Sequence, residues 1–247
     1  KIFYKKNNNE VKEIVKEAIF VSRSKKALIE SLWEGSEHTV ETLFDCNGNF
    51  HFCFITDRHF DKTNGFALET ALVHPTRLTE THQNEMIKLA KETAEKIGIT
   101  QGAAKYDMML TNDGPKIIEM TVRLSGGFDC QYLVPCATGK NILKAAILTA
   151  TGNTFKKELL TSSKNKVALS ESLWPKPGKI IKISGIEEAK KCNGFEHIFF
   201  RYNIGDTVQP YIDCTKRVCF IIATGSTYDD AKNNINKIKE TIKIETK

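Results

Sequence analysis

The sequence predicts an α+β protein built on largely antiparallel sheets, and three observations predict it. Asn47-Gly48 separates two alternating segments, "EHTVETLFDC" and "FHFCFITD", a strong short-range hairpin signal. Asn112-Asp113-Gly114 separates a second pair, "GAAKYDMML" and "PKIIEMTV". One well-marked helix lies between these hairpins, so strands and helices do not alternate as they would in a parallel sheet.

The elements follow in order. An Asn cluster caps a first helix, with Val11, Ile14, Val15, Ala18 and Ile19 on one face. A short apolar run, Ala27 to Trp33, and a Gly-Ser turn precede the first hairpin. "FALETALVHP" is a strand ended by Pro75. "TETHQNEMIKLAKETAEKIG" is a helix capped by Thr79 or Thr81 and stopped by Gly98. After the second hairpin, "GKNILKAAILTATG" is a helix with an apolar face. The texture changes near Ser163. Strand-like runs flank Pro175 and Pro177, "GIEEAKKC" is helical, "HIFFRYNIGDTVQP" and "RVCFIIATG" are strands, and "STYDDAKNNINKIKETIKI" is a last helix capped by Ser226 or Thr227. The division expected is 1–162 as the core and 163–247 as a smaller α+β unit.

Bulk properties narrow the function. The 247 residues are 40% hydrophobic and 27% charged, ordinary for a globular protein. The net charge of +6 is scattered, without a long basic run or an aromatic RNA-binding motif, so no nucleic-acid partner is expected. No apolar stretch reaches about 18 residues, so no membrane span is expected. The seven cysteines show no Cys-x-x-Cys pair and no zinc spacing, which fits reduced thiols and a cytoplasmic setting.

Chemistry concentrates around the second hairpin. A turn at 112–114 sets Asp107 roughly opposite Glu119, within reach of one metal ion. Two opposed carboxylates repel unless a cation lies between them, and a hard divalent ion suits oxygen ligands and nucleotide phosphates. Arg123, at an even offset from Glu119, shares its face if the strand continues, and Gly126-Gly127 permits close backbone approach. The competing reading is a surface hairpin whose acids pair with Lys105, Lys116 or Arg123.

"GAAKYDMMLTNDGPKIIEMTVRLSGG" resembles the C-terminal core of the ATP-grasp superfamily, whose pattern is an acid, a hairpin turn and then Glu-x-Asn-x-Arg-x-x-Gly-Gly. "ALIESLWEGSEHTVETLF" is similar to that family's hinge, and the order of motifs agrees from about Val11 to Gly152. The tail from "GKIIKISG" onward resembles the small domain of carboxylate–amine ligases and carbamoyl-phosphate synthase large chain-like proteins. The resemblance implies an ATP-grasp fold and an ATP- and magnesium-dependent ligase, with manganese as a substitute. Such an enzyme activates a carboxylate as an acyl phosphate for attack by an amine. Its partners are small carboxylates and amines, and a homodimer is an open expectation.

Residue by residue, the resemblance implies that Glu30 and the backbone of Ser31, Leu32 and Trp33 form the adenine hinge. Glu37 would bind ribose, Met109 would pack under the purine, and Arg58, with His59 beside it, would face phosphate or substrate. Asp107, Glu119 and Thr121 would hold metal, and Arg123 would be the catalytic arginine on the phosphate or acyl phosphate. His74 reads as a loop residue. Three positions depart from the pattern: Thr121 replaces asparagine, Val122 replaces proline, and the first acid is Asp rather than Glu. No glycine-rich phosphate loop precedes Gly35, so the chain is expected to be the later portion of a longer enzyme, inactive alone. The alternative is a non-catalytic nucleotide-binding remnant or a regulatory or interaction domain.

Overall fold

The computed structural model describes residues 8–61, 67–211 and 214–247. In chain order they form α1 (Asn8–Val21), β1 (Ser36–Phe44), β2 (Phe50–Asp61), β3 (Leu68–His74), α2 (Glu80–Lys96), β4 (Gly102–Thr111) and β5 (Gly114–Thr121). A π-helical turn, Asp129–Leu133, runs into α3 (Val134–Thr138) and then α4 (Ile142–Ala150). The remainder is β6 (Val167–Glu171), β7 (Gly178–Ser184), α5 (Ile186–Ala189), β8 (Phe195–Phe200), β9 (Thr207–Val208), β10 (Cys219–Gly225), α6 (Tyr228–Thr241) and β11 (Lys243–Thr246). Asn7, the first residue of the Asn cluster expected to cap α1, lies outside the described residues.

Local chemistry accounts for the element ends. The Asp45 carboxylate accepts the backbone amides of Asn47 and Asn49 at 2.9 and 3.0 Å, closing the β1–β2 turn, in which Gly48 takes φ +82°. Thr79, not Thr81, caps α2 by accepting the His82 amide. Thr227 caps α6 in a capping box with Asp230. The last helix is shorter than its sequence implies. It ends at Thr241, and the tail becomes β11, pairing Ile244 with Ile183 of β7. Alternating β-branched residues bring this about, because Ile242 and Ile244 pack into the core as a strand. The apolar run from Ala27 to Trp33 forms neither helix nor strand, and Leu28, Ile29 and Leu32 are exposed.

Eight strands make one sheet in the order β5-β4-β1-β2-β3-β6-β10-β8, and every pairing is antiparallel. A small sheet, β11-β7-β9, lies apart. The β3–β6 ladder, with Ala71 opposite Glu171, carries the main sheet across the 162/163 boundary. On one face of the sheet, Val40, Ile55, Tyr106 and Met108 pack against Met86 and Ala90 of α2. Farther along the sheet, Ala231, Ile235 and Ile238 of α6 cover Ile221 and Ala223 of β10. Each buried valine, isoleucine or methionine among these contributes about 1.5–3 kcal/mol. Lys232 and Lys239 of α6 also reach the Glu171 carboxylate on β6. With α2 on one face of β1, β2 and β4, the side chains of alternate positions are left to build a polar surface on the other.

Candidate functional site

That polar surface is set by strand period and register. On β1 it carries Glu37, Thr39 and Glu41; on β4, Lys105, Asp107 and Met109. Glu37 lies opposite Met109 and Arg58, Thr39 opposite Asp107, and Glu41 opposite Lys105. On the outer side of β4, Asp107 faces Glu119 and Lys105 faces Thr121. The opposition expected of the two acids therefore holds, with an irregularity between Asp107 and Met108 that shifts the register toward the turn.

Asp107 is heavily engaged. Arg58 Nη1 lies 2.7 Å from its Oδ1, Lys105 Nζ pairs with its Oδ2, and the Thr39 hydroxyl donates to Oδ1 at 3.4 Å. The sequence's competing reading, an acid paired with Lys105, is thus part of the same structure. Arg58 also binds Glu69 of β3 through Nε at 2.8 Å, and its Nη1 lies 4.0 Å from Glu37. Burial alone would lower the Arg58 pKa, but Glu69, Asp107 and Glu37 raise it, so the guanidinium stays charged. Arg217, which follows β9 and precedes β10, closes the network by donating to Glu69 Oε2 at 3.1 Å and to the Glu69 carbonyl at 2.7 Å. His59, next to Arg58, points elsewhere and is exposed.

Below this row the acids are sealed from water. Glu41 is fully buried, and burial pushes its pKa up to about 7, although the Ser125 amide donates to Oε2 at 2.8 Å. Its Oε1 has no partner among the described residues. Asp129, opening the π-helical turn, is also buried, and burial raises its pKa well above the usual carboxylate range. The Thr121 hydroxyl oxygen is buried without a partner as well.

Other expected residues stand differently. Glu119 is exposed and makes no ion pair among the described residues. Arg123 does not join the pair. Strand β5 ends at Thr121, and the chain bends because the Ser125 amide is held by Glu41 on β1. The exposed Arg123 guanidinium donates to the carbonyl of Leu124 at 2.9 Å. Gly127, at φ +70°, lets the chain turn into the π-helical segment, and a Cβ there would lie 3.5 Å from Leu72. Glu30, Ser31, Leu32 and Trp33 form an exposed stretch leading to β1. Gly35 lets that stretch cross the end of β4, since a Cβ there would sit 2.0 Å from the Leu110 carbonyl oxygen. Met109 is buried beside Glu37. His74 is the last residue of β3 rather than a loop residue, and it is buried.

Sequence reasoning missed Glu69, Arg217, Glu41 and Asp129 as members of this surface. Glu41 was legible in principle, because it lies at an even offset from Glu37 on β1. Glu69 and Arg217 are 148 residues apart, and no local signal joins them.

The hard oxygens of Asp107, Glu119 and Thr121 suit magnesium. Carboxylate oxygens retain lone pairs beyond those taken by Arg58 and Lys105, and the buried Thr121 oxygen has no hydrogen-bond partner among the described residues.

Residues 4–131 match the family model described as the ATP-grasp domain, and residues 172–247 match L-amino acid ligase C-terminal domain 2. Dapdiamide A synthase of Enterobacter agglomerans is 25% identical over 237 residues, covering 92% of this chain and 54% of that protein. Human carnosine synthase 1 is 30% identical over 125 residues, covering 51% of this chain and 15% of its own length. The crystal structure of L-amino acid ligase from Bacillus licheniformis superposes with a TM-score of 0.84 at 21% identity, over 100% of this chain and 61% of that one. Phosphoribosylglycinamide synthetase from Anaerococcus prevotii superposes with a TM-score of 0.74 at 18% identity, over 98% of this chain and 61% of that one. The chain thus spans about half of the dapdiamide relative and less than a fifth of the carnosine relative.

Proposed function

We propose, from the premise that this chain belongs to the ATP-grasp family, that it forms part of an ATP-dependent ligase joining a small carboxylate, of the amino-acid class, to an amine. The observation that carries the proposal is the Asp107–Glu119 rung, set on the same face as Glu37 and Arg58. The L-amino acid ligase match at 172–247 favours amino-acid substrates. We assign 1–162 to nucleotide and metal binding and 163–247 to the smaller unit that braces it.

In this reading a substrate carboxylate attacks the terminal phosphate of ATP, ADP leaves, and the acyl phosphate is captured by an amine with loss of phosphate. Asp107, Glu119 and Thr121 would hold magnesium, which supplies charge neutralisation on the phosphates. Arg58 stays charged beside Asp107 and balances anionic charge there. Glu37 accepts ribose hydroxyls, Met109 gives the purine an apolar floor, and the 30–33 stretch offers backbone groups to adenine. Arg123, exposed just beyond β5, would meet the reacting phosphate.

The test is magnesium-dependent protection of the full-length protein by ATP against thermal unfolding, followed by phosphate release over a panel of amino-acid pairs. Absence of any magnesium-dependent protection overturns the proposal. A second reading, nucleotide binding without turnover, is favoured by Thr121 in the place of asparagine. It expects protection without phosphate release from any pair.

A further inference from the structure

A cavity of about 570 Å³ lies between the middle of β2, the end of β3 and the loop 162–166. It contains none of the candidate residues described above, and its volume is in the range of small-molecule sites. Its charge is one-sided. Lys140, Lys164 and Lys166 line it, and among the described residues no carboxylate does. Asp57, behind Thr76, is already taken up by His38, the Thr76 hydroxyl and the Arg77 amide.

Lys140 is the central feature. Its ammonium is half-buried, donates to the Cys53 carbonyl at 2.6 Å and lies 5.8 Å from the centre of the Phe52 ring. It makes no ion pair among the described residues. An ammonium carries three donors, so at least two remain for a ligand. Burial lowers its pKa, as expected of a positive charge lacking a counter-charge. His74, in the same wall, adds no charge near neutrality. Its Nδ1 donates to the Ile55 carbonyl at 2.9 Å, and burial pulls its pKa down to about 4.

The loop that completes the cavity is fixed in place. The Ser163 and Lys164 amides donate to the Thr138 carbonyl at 2.8 and 3.0 Å, and the Lys166 amide donates to Ala137 at 3.1 Å. Gly139 makes the approach possible. It sits at φ +75°, and a Cβ there would lie 2.2 Å from the Ser163 hydroxyl oxygen. The loop thereby brings two serine hydroxyls and two lysines to the cavity that holds Lys140.

We infer that this cavity is a second ligand site, separate from the proposed nucleotide site, for the oxyanion of a small molecule. A phosphate or carboxylate group would meet the Lys140 ammonium and the loop donors, and the Phe52 and Phe54 side would take the apolar part. Lys166 is also shared with Glu196, 3.6 Å away, so Lys140 and Lys164 carry most of the recognition.

Isothermal titration of the full-length protein, without nucleotide or divalent ions, tests this with inorganic phosphate, pyrophosphate and succinate as separate probes. At least one probe should bind the wild type, and which one binds distinguishes a phosphate from a carboxylate ligand. Lys140→Met should weaken that binding at least about tenfold, and the exposed double change Lys164→Gln/Lys166→Gln should also weaken it. Glu119→Gln should bind as the wild type does, which keeps this result independent of the proposed ligase site. No binding of any probe at millimolar concentration, or equal binding by Lys140→Met, overturns the inference. If Lys140→Met does not fold, undiminished binding by the double loop variant overturns it instead.

Discussion

Asp107 and Glu119 face each other across one rung of the β4–β5 ladder, yet their surroundings are opposite. Asp107 lies on an interior strand and is enclosed by Arg58, Lys105 and Thr39. Glu119 lies on the edge strand, is exposed and has no ion-pair partner among the described residues. Strand position creates the difference. A side chain on β4 has neighbours from β1 on one side and β5 on the other, whereas β5 ends the sheet. The inner acid is therefore bound into the fold, and the outer one is free to meet a ligand. Stability should depend far more on the inner acid than on the outer one, while the proposed metal site needs both.

The largest expected effect tests the inner acid. Asp107→Asn leaves Arg58 and Lys105 without their shared counter-charge and should cost about 3 kcal/mol of stability, read as a lower urea midpoint at unchanged slope. A change within about 0.5 kcal/mol would show that the enclosure is incidental.

Next comes the sealed acid beneath the site. The Glu41 pKa rises from 4.5 to about 7 on folding. The folded state then holds the extra proton between those values, so this group's contribution to stability is full below pH 4.5 and is lost as pH rises to about 7. Glu41→Gln should remove that slope. The variant should match the wild type at pH 4 and exceed it by about 3 kcal/mol at pH 8. Parallel pH profiles for the two proteins would contradict the buried-acid account.

Arg217→Gln should cost about 2 kcal/mol, because Arg58 is then the one charged partner left to Glu69 among the described residues. It should also loosen the link between β3 and the segment before β10, seen as faster amide exchange in β3. The smallest stability effect belongs to the outer acid. Glu119→Gln should change stability by less than about 0.5 kcal/mol, yet abolish magnesium-dependent protection by ATP. Retained protection would remove Glu119 from the proposed site.

Much of this was legible in the sequence, for identifiable reasons. The Asn-Asp-Gly turn sets the β4–β5 hairpin, and its register places Asp107 opposite Glu119, whereas Thr39 comes beside Asp107 only through the non-local pairing of β1 with β4. Arg123 was misplaced because its position assumed that β5 continues. The chain leaves the strand where Ser125 is drawn to Glu41, and that contact is 84 residues distant. The short strand β11 was hidden inside a helical pattern, since its pairing with β7 lies outside any local window.

The sequence by itself determined the α+β class, the hairpins, the capped helices and the carboxylate rung, all of which follow from local turn chemistry and side-chain period. Only the tertiary structure decided that Asp107 is enclosed and Glu119 open. It also decided that Arg217 braces Glu69 and that Lys140 stands in a cavity without a counter-charge among the described residues. Those outcomes depend on which distant strands and loops pack together, and burial and charge pairing have no meaning until they do.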